Sequence, residues 1–194
     1  YRGRSYEGAD AAMAEALARY YESVSEWMLP EIKGRPLSLV RCPAGPGEGC
    51  FYQKNIDDKF SDEIERVDVD FGGGGTYAAA NSAGAVVSLV QMGVIELHTW
   101  GSTTREFTKP DRIIFDLDPA PDVPWREVTA AARTTRDLLA DLGLESFLKT
   151  SGGKGLHVCV PLAPRHDWEE VKPFSRAIAE TLAAMAPILS GAVL

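Results

Sequence analysis

A short apolar run that ends in two aspartates and a proline constrains this chain more than any other stretch. Residues 113–117 are rich in β-branched and aromatic side chains, which predicts a β-strand. Pro119 ends the strand because proline has no amide hydrogen to donate to a sheet ladder. Side chains alternate across a strand, so Asp116 and Asp118 share one face and Leu117 lies on the other. The chain therefore contains a sheet with two neighbouring carboxylates at the end of one strand.

These two carboxylates suggest a metal site. Like charges at this spacing repel each other unless a positive charge lies between them. Carboxylate oxygens are hard ligands that suit magnesium, manganese or calcium. We therefore predict that Asp116 and Asp118 bind a divalent ion. The alternative is a polar strand end that leads into a turn, because an Asp-x-Asp motif alone is weak.

A second stretch places a cation, a hydroxyl and an imidazole around three glycines. Residues 146–150 and 156–160 are predicted to be strands, and residues 151–155 form the turn between them. Consecutive amides of such a turn can form an anion-binding concavity, to which Ser151, Lys154 and His157 add donors. The turn is not a Walker A loop, since that motif and its following helix are absent. Gly-Gly is also ordinary hairpin chemistry, so a plain turn is the alternative.

Taken together, the two stretches are far more specific than either alone. FDLDP followed about thirty residues later by KTSGGKGLHV resembles the polymerase domain of bacterial DNA ligase D, in the archaeo-eukaryotic primase superfamily. The stretches CFYQKN and VIELHTWGS agree, and the resemblance covers roughly residues 15 to 182. It implies an α+β primase-polymerase fold with mixed or antiparallel sheets flanked by helices. We expect a single domain with an N-terminal lobe of about residues 1–93 and a catalytic lobe of about residues 94–194.

The resemblance also implies a reaction, nucleotidyl transfer from a nucleoside triphosphate to a primer. Asp116 and Asp118 would be the catalytic residues and would hold two ions, Mn²⁺ or Mg²⁺. His98 belongs to a motif that departs from the family pattern, since Thr99 replaces the usual proline. The residues expected to bind the nucleotide are Arg41, Phe51, Lys54, His98, Ser151, Lys154, Gly155 and His157. The sequence leaves open which of Phe51 and Tyr52 points inward.

Partners and location follow from the same resemblance. Domains of this family fill gaps and extend DNA ends in bacterial non-homologous end joining. They act on DNA ends with a 5′-phosphate, together with the protein Ku and with ligase and phosphoesterase modules. We therefore expect a protein of the bacterial cytoplasm that is associated with the nucleoid and has no membrane partner.

The end of the sequence departs from the family, which continues into a strand with a third aspartate. Residues 185–194 contain no Asp or Glu, so the catalytic lobe is expected to be incomplete and to polymerise poorly. A non-catalytic module that binds DNA ends is therefore a rival interpretation. A metal-dependent phosphohydrolase also explains paired aspartates and a phosphate loop, but not the order of Arg41, Phe51 and His98.

Charge and composition set wider bounds. The net charge is −8, which argues against a protein that coats nucleic acid, because such proteins carry a basic surface. Residues 31–54 nevertheless carry a local excess of cations. Hydrophobic content of 45% is that of an ordinary globular protein. No apolar run is long enough for a membrane span and no signal peptide is visible. Three cysteines without metal-ligand spacing predict a reduced, intracellular protein rather than a disulfide framework.

Hydrophobic periodicity predicts the remaining elements. Residues 11–29 form an amphipathic helix that ends before Pro30, with Tyr20 and Trp27 in its buried stripe. Further helices are predicted over residues 81–92, 125–142 and 168–185, the last with an Asp167–Glu170 capping box. Strands are predicted over residues 36–42, 51–54, 64–71 and 94–100, with a flexible glycine tip at residues 72–75.

Overall fold

The structure is a computed structural model that describes residues 9–43, 49–71, 73–151 and 153–185. The chain divides into two compact units, Tyr1–Phe107 and Thr108–Leu194. This division lies later than the expected lobe boundary near residue 93, because the strand that follows residue 93 pairs within the first unit. Both units combine helices with antiparallel sheets, which confirms the α+β class.

The first unit contains one sheet and two described helices. Its elements in chain order are α1 (Ala9–Ile32), β1 (Leu37–Arg41), β2 (Phe51–Gln53), β3 (Glu65–Val69), β4 (Gly75–Ala79), α2 (Ala83–Gln91) and β5 (Val94–Thr99). Strand β1 is central, with β5 on one edge and β2 and β4 on the other, and β3 extends the sheet beyond β4. Leu37 and Leu39 are fully buried on one face, where they form a core with Val86 and Leu89 of α2. This packing leaves the opposite face of β1 available for polar residues.

The side of helix α1 that packs against the core is not the side that its periodicity predicts. Tyr20 and Trp27 are 58% and 73% exposed, so their predicted burial is wrong. The core is instead contacted by Tyr21, Met28 and Leu29, and the Tyr21 hydroxyl donates to the carbonyl of Ile95 at 2.7 Å. Both sides of this helix carry aromatic residues, so the sequence pattern alone does not distinguish them. The helix also continues past Pro30 to Ile32, because a proline in the last turn removes only one backbone hydrogen bond.

The structure also contains a strand, β4, that sequence analysis missed. Three of its five residues are Gly or Ala, which have low strand propensity and hide the signal. Strand β4 forms because it pairs with β3 over five residue pairs and because the ring of Tyr77 packs against Trp100. The predicted glycine tip is the β3–β4 turn, in which Gly73, Gly74 and Gly75 have positive φ angles that favour glycine.

Two of the three cysteines form a disulfide bond. Arg41 of β1 pairs with Phe51 of β2, so the next residues outward, Cys42 and Cys50, lie opposite each other with a Cα–Cα distance of 4.2 Å. The prediction of a fully reduced chain is therefore wrong for this pair, and Cys159 is the free cysteine. Sequence spacing could not show the pairing, because it depends on the register between β1 and β2.

Reduction of this disulfide is expected to destabilise the protein. Opening a loop of this length lowers the free energy of unfolding by about 2–3 kcal/mol in the chain-entropy account. Denaturant unfolding with and without a phosphine reductant measures the difference. The double variant C42S/C50S should be insensitive to the reductant, and a C159S variant should behave like the parent protein. Three alkylated thiols in the non-reduced, unfolded protein would contradict the assignment.

The second unit is a three-stranded sheet covered by two helices. Its elements are β6 (Arg112–Leu117), α3 (Trp125–Asp141), β7 (Phe147–Thr150), β8 (Leu156–Pro161) and α4 (Trp168–Met185). The strand order is β6-β8-β7. Phe115 and Val158 are buried on the helix-covered face against Leu139 of α3 and Leu182 of α4. The predicted capping box at the start of α4 is confirmed by reciprocal hydrogen bonds between Asp167 and Glu170.

None of the helices in the described part of the chain combines the length and the apolar composition needed to cross a bilayer.

Candidate functional site

The face of the second sheet opposite its helices carries the paired carboxylates. Strand β6 alternates between buried and partly exposed residues, with Phe115 and Leu117 in the core and Asp116 on the other face. His157 of the central strand β8 pairs with Asp116 on one side and with Lys149 of β7 on the other. Antiparallel pairs project to the same face, so a carboxylate, an imidazole and an ammonium group lie side by side.

His157 is the most enclosed of these groups. Its Nε2 atom lies 3.5 Å from Oδ1 of Asp116, and its Nδ1 atom is buried without a hydrogen-bond partner. Burial lowers the pKa of His157 from its ordinary value of 6.5, Asp116 opposes that change, and Lys149 adds to it. The imidazole is therefore held largely neutral, and Nε2 is available to contact a polar ligand.

Asp118 has a cationic partner of its own. The Nζ atom of Lys154 lies 3.6 Å from Oδ1 of Asp118 and donates a hydrogen bond to the carbonyl of Pro119 at 3.0 Å. Both side chains of this pair are more than half exposed. The sequence-predicted residues Asp116, Asp118, Lys154 and His157 are thus brought together at one end of the sheet.

Ser151 organises the glycine turn from within. Its Oγ atom donates to the carbonyl of Gly155 at 3.0 Å and accepts from the amides of Gly153 and Gly155 at 3.3 and 3.2 Å. Gly152 lies outside the described residues. Two turn amides that were predicted to face an anion are thus bound to Ser151, and the Ser151 hydroxyl hydrogen is donated to Gly155. Lys154, whose ammonium group has three hydrogens, is therefore the turn side chain that can still donate to a ligand.

Gly155 is required for space rather than for its backbone angle. A Cβ atom at this position would lie 2.8 Å from the carbonyl oxygen of Leu117 and 3.4 Å from the Cα atom of Asp118. The start of β8 and the end of β6 therefore approach more closely than any side chain permits. This contact links the glycine turn directly to the backbone that carries Asp118.

The donor set is compatible with a divalent ion that keeps part of its hydration shell. Asp116 and Asp118 supply hard oxygen ligands at an accessible strand end, as magnesium and manganese require. In the described part of the chain, no group of three or more His, Cys, Asp or Glu side chains is arranged to hold a metal. The carboxylate of Asp68, on strand β3 of the first unit, accepts a hydrogen bond from Thr76.

The first unit presents a second polar cluster on one face of its sheet. Val40 pairs with both Tyr52 and Glu96, and Ser38 pairs with His98, so Tyr52, Glu96 and His98 share a face. The Tyr52 and His98 rings form an edge-to-face contact with centroids 5.5 Å apart. His98 Nε2 lies 2.9 Å from a Glu96 carboxylate oxygen. The cluster combines an exposed aromatic ring with an oriented imidazole.

Arg41 and Phe51 lie on the other face of the same strands. Arg41 pairs with Phe51, and its guanidinium lies over the Phe51 ring at 5.5 Å. It also donates to the carbonyl of Met92 at 2.9 Å and to Gln53 Oε1 at 2.8 Å. Phe51 is 45% exposed, and Lys54 is exposed just beyond β2. The structure therefore separates Arg41 and Phe51 from His98, although all three were expected to contact one nucleotide.

Two residues of these clusters were not singled out from sequence, Glu96 and Lys149, and Tyr52 was named only as the alternative to Phe51. Glu96 was detectable by the alternation that identified Asp116 and Asp118, whereas Lys149 was not. Glu96 lies two residues before His98 in one strand. What was lacking was the pairing of neighbouring strands, which shows that Lys149 lies opposite His157.

Acidification is expected to destabilise the protein through His157. Its pKa is lowered in the folded state, so below about pH 6.5 the unfolded chain takes up a proton that the folded chain resists. Stability is then lost as the pH falls from 6.5 towards the folded-state pKa, and above that window His157 has no effect. Urea unfolding between pH 7.5 and 5 should show a smaller loss in H157Q than in the parent. H166Q, which changes an exposed histidine, should match the parent; equal slopes in H157Q and parent would contradict the prediction.

Comparison with known proteins identifies the family. A model of the family described as "LigD, primase-polymerase domain" matches residues 14–192. The multifunctional non-homologous end joining protein LigD of Pseudomonas aeruginosa is 41% identical over 94% of this chain and 21% of its own length. The bifunctional LigD of Bacillus subtilis is 29% identical over 86% of this chain and 27% of its own length. The chain belongs to the LigD primase-polymerase domain family.

A solved structure agrees with this assignment. The polymerase domain of Mycobacterium tuberculosis Ligase D in complex with DNA matches 96% of this chain and 71% of that chain, with a TM-score of 0.81 and 28% identity. The resemblance noted from FDLDP and KTSGGKGLHV is thereby confirmed, as is the primase-polymerase fold. The chain spans between a fifth and just over a quarter of the length of these two curated relatives.

Proposed function

We propose that this chain is a nucleotidyltransferase that adds nucleotides to the 3′ end of a DNA primer. The observation that carries the proposal is the juxtaposition of Asp116 and Asp118 with His157 and Lys154 at one end of the second sheet. Two carboxylates next to two nitrogen donors suit a substrate that is both polyanionic and bound to a divalent cation. A nucleoside triphosphate is such a substrate, and membership of the LigD primase-polymerase family supports this choice.

Each group has a role in this proposal. Asp116 and Asp118 would hold Mg²⁺ or Mn²⁺, which would neutralise charge on the attacking and leaving oxygens. Lys154 and His157 would bind phosphate oxygens in place of their aspartate partners. Ser151 and Gly155 keep the turn in place, and Lys149 adds positive charge on the same face. His98, which contacts Tyr52 and Glu96, would bind the sugar or phosphate, while Arg41, Phe51 and Lys54 remain further candidates for nucleotide binding.

The reaction is a displacement at phosphorus. The primer 3′-hydroxyl oxygen loses its proton to water and forms a bond to the α-phosphorus, the bond from the α-phosphorus to the bridging oxygen breaks, and pyrophosphate leaves. The residues of this chain act chiefly by positioning and by electrostatics, because phosphoryl transfer needs little covalent participation by the protein. Lys154 and a neutral His157 can stabilise the negative charge that develops on the leaving pyrophosphate by donating hydrogen bonds to it.

The biological role is proposed from the names of the relatives. LigD proteins are named for non-homologous end joining, and the solved neighbour was captured with DNA. We infer that this chain fills gaps at DNA ends with a 5′-phosphate and that it does so in the bacterial cytoplasm near the nucleoid. Ku and ligase or phosphoesterase modules are its proposed partners.

A single extension assay tests the proposal. The chain is incubated with a gapped, 5′-phosphorylated duplex, manganese and labelled nucleoside triphosphate. A primer lengthened by one or more nucleotides supports nucleotidyl transfer. Release of phosphate without extension indicates a phosphohydrolase, and a gel shift of the duplex without either product indicates a DNA-end-binding module. Either of these outcomes contradicts the proposed function.

The roles of Lys154 and His157 lead to a separable prediction. K154A and H157A should each weaken triphosphate binding by about tenfold to a hundredfold, because each removes one contact to a charged group worth roughly 1.5–3 kcal/mol. Affinity for the DNA duplex should stay within about twofold. Fluorescence titrations with a labelled nucleotide and with labelled DNA measure both, and K172A and H166A are controls from the same unit. Unchanged nucleotide affinity together with weaker DNA binding would reverse the assigned roles.

A further inference from the structure

Strand β7 is an open sheet edge with unusual composition. Within the described residues it pairs with β8 and with no other strand, so its outer amides and carbonyls have no partner in a ladder. All four of its residues are exposed, including the adjacent Phe147 at 53% and Leu148 at 62%. Edge strands that carry exposed apolar residues are templates for a further strand. This edge lies on the unit that holds Asp116, and Lys149 is its residue beside the candidate site.

A groove runs along this edge on the helix-covered side of the sheet. Leu148 pairs with Val158, so it projects to the face on which α3 packs. The groove lies between β7 and α3, with Ala132, Leu156 and Val158 among its apolar lining. Its volume is about 270 Å³, enough for one or two aliphatic side chains. A strand added to β7 would lie about 4.8 Å away and would direct every second side chain to this face.

The charge around the edge is positive. Arg133 and Arg136 of α3 line the groove, and no carboxylate does. Arg136 also contacts the neighbouring Asp137, whereas Arg133 is an exposed cation of the rim. Lys149 projects from β7 to the opposite face. Any segment that pairs with β7 thus meets cations on both faces of the sheet, although the chain as a whole carries a charge of −8.

We propose that β7 is a docking site for an extended, acidic peptide segment of a partner protein, which binds by strand addition. Backbone hydrogen bonds to β7 supply the register, and a Leu, Ile or Val side chain enters the groove beside Leu148. Carboxylates of the segment pair with Arg133 and Arg136 on one face and with Lys149 on the other. The apolar groove favours a peptide over a nucleic-acid backbone, which would leave the exposed Leu148 without an apolar partner.

The test uses a defined probe because the partner is unidentified. The probe is a capped, fluorescent heptapeptide with a central leucine and three glutamates on each side of it, so that glutamates lie on both faces of the added strand, and its control is the same peptide with lysine in place of glutamate. Fluorescence anisotropy should show saturable binding of the acidic peptide and binding at least tenfold weaker of the basic one. Hydrogen exchange at the amides of Phe147–Thr150 should slow on binding, which groove binding without strand addition would not cause.

Matched variants locate the site. L148S and R133E each change an exposed side chain, so the fold should be retained, and each should weaken binding of the acidic peptide by about tenfold. L142S and R176E make the same changes at exposed positions that do not line the groove, and both should bind like the parent. Absence of binding by the parent, or equal binding by L148S, overturns the proposal. A concentration-dependent dimer that L148S abolishes also overturns the proposal. Displacement of the peptide by a short DNA duplex overturns it as well.

Discussion

Replacing Asp116 or Asp118 with asparagine is expected to reduce nucleotide addition by about a thousandfold or more, which is roughly 4 kcal/mol of transition-state stabilisation. Asparagine keeps the shape of aspartate but removes the charge that holds a divalent ion. The loss should appear in the rate of extension rather than in the affinity for DNA. The measurement is single-turnover primer extension with manganese, in which the parent protein is first shown to extend primers.

Stability provides the control for this result. The two aspartates are about half exposed, and pairs of that kind contribute only about 0–1 kcal/mol to folding. The unfolding midpoint of D116N and D118N should therefore stay close to that of the parent. D141N, which changes an exposed aspartate at the end of α3, should affect neither quantity. Extension at the parental rate by D116N or D118N would end the assignment of metal ligands.

The variant G155A is expected to damage both folding and catalysis. Its added Cβ atom would meet the carbonyl of Leu117 at 2.8 Å, a backbone contact that only a shift of β8 or β6 can relieve. Overpacking of this kind typically costs about 1–3 kcal/mol of folding free energy. A displacement of Asp118 by even part of an ångström should slow extension by roughly tenfold to a hundredfold. Denaturant unfolding and primer extension together measure the two effects.

Gly153 offers a matched control in the same turn. A Cβ atom at Gly153 would meet only the Ser151 hydroxyl at 3.8 Å, which is an ordinary contact. G153A should be neutral, or stabilising by up to about 1 kcal/mol because alanine restricts the unfolded chain. If G155A and G153A behave alike, the close approach between β8 and β6 is not the reason that glycine occupies position 155.

The candidate site was predictable where its chemistry lies within a single strand. Alternation along residues 113–118 places Asp116 and Asp118 on one face whatever the strand pairs with. The same rule would have identified Glu96 beside His98. It could not identify the companions of these residues on other strands, such as Lys149 and Tyr52, because a register between strands is set by hydrogen bonds distant in sequence. For the same reason the Cys42–Cys50 disulfide escaped prediction.

The side of a helix that faces the core is a second feature that the sequence pattern did not predict. The aromatic residues Tyr20, Tyr21 and Trp27 give α1 more than one apolar side, and periodicity favoured the wrong one. The choice is made by the partner surface, since Tyr21 reaches the carbonyl of Ile95 on β5. The role of Arg41 was equally unpredictable, because it depends on which face of β1 the helices cover.

The sequence by itself determined the strand that presents two carboxylates and the glycine turn with its serine and lysine, whereas the class of fold followed from the resemblance to the ligase D polymerase family. The strand and the turn depend on local propensity, alternation and turn chemistry, which act over a few residues. Only the tertiary structure decided that His157 lies between Asp116 and Lys149, that Gly155 touches the backbone of β6, and that Arg41 and His98 lie on opposite faces. These follow from the pairing of strands far apart in the chain, and that pairing is selected by burial of the whole core rather than by any one segment.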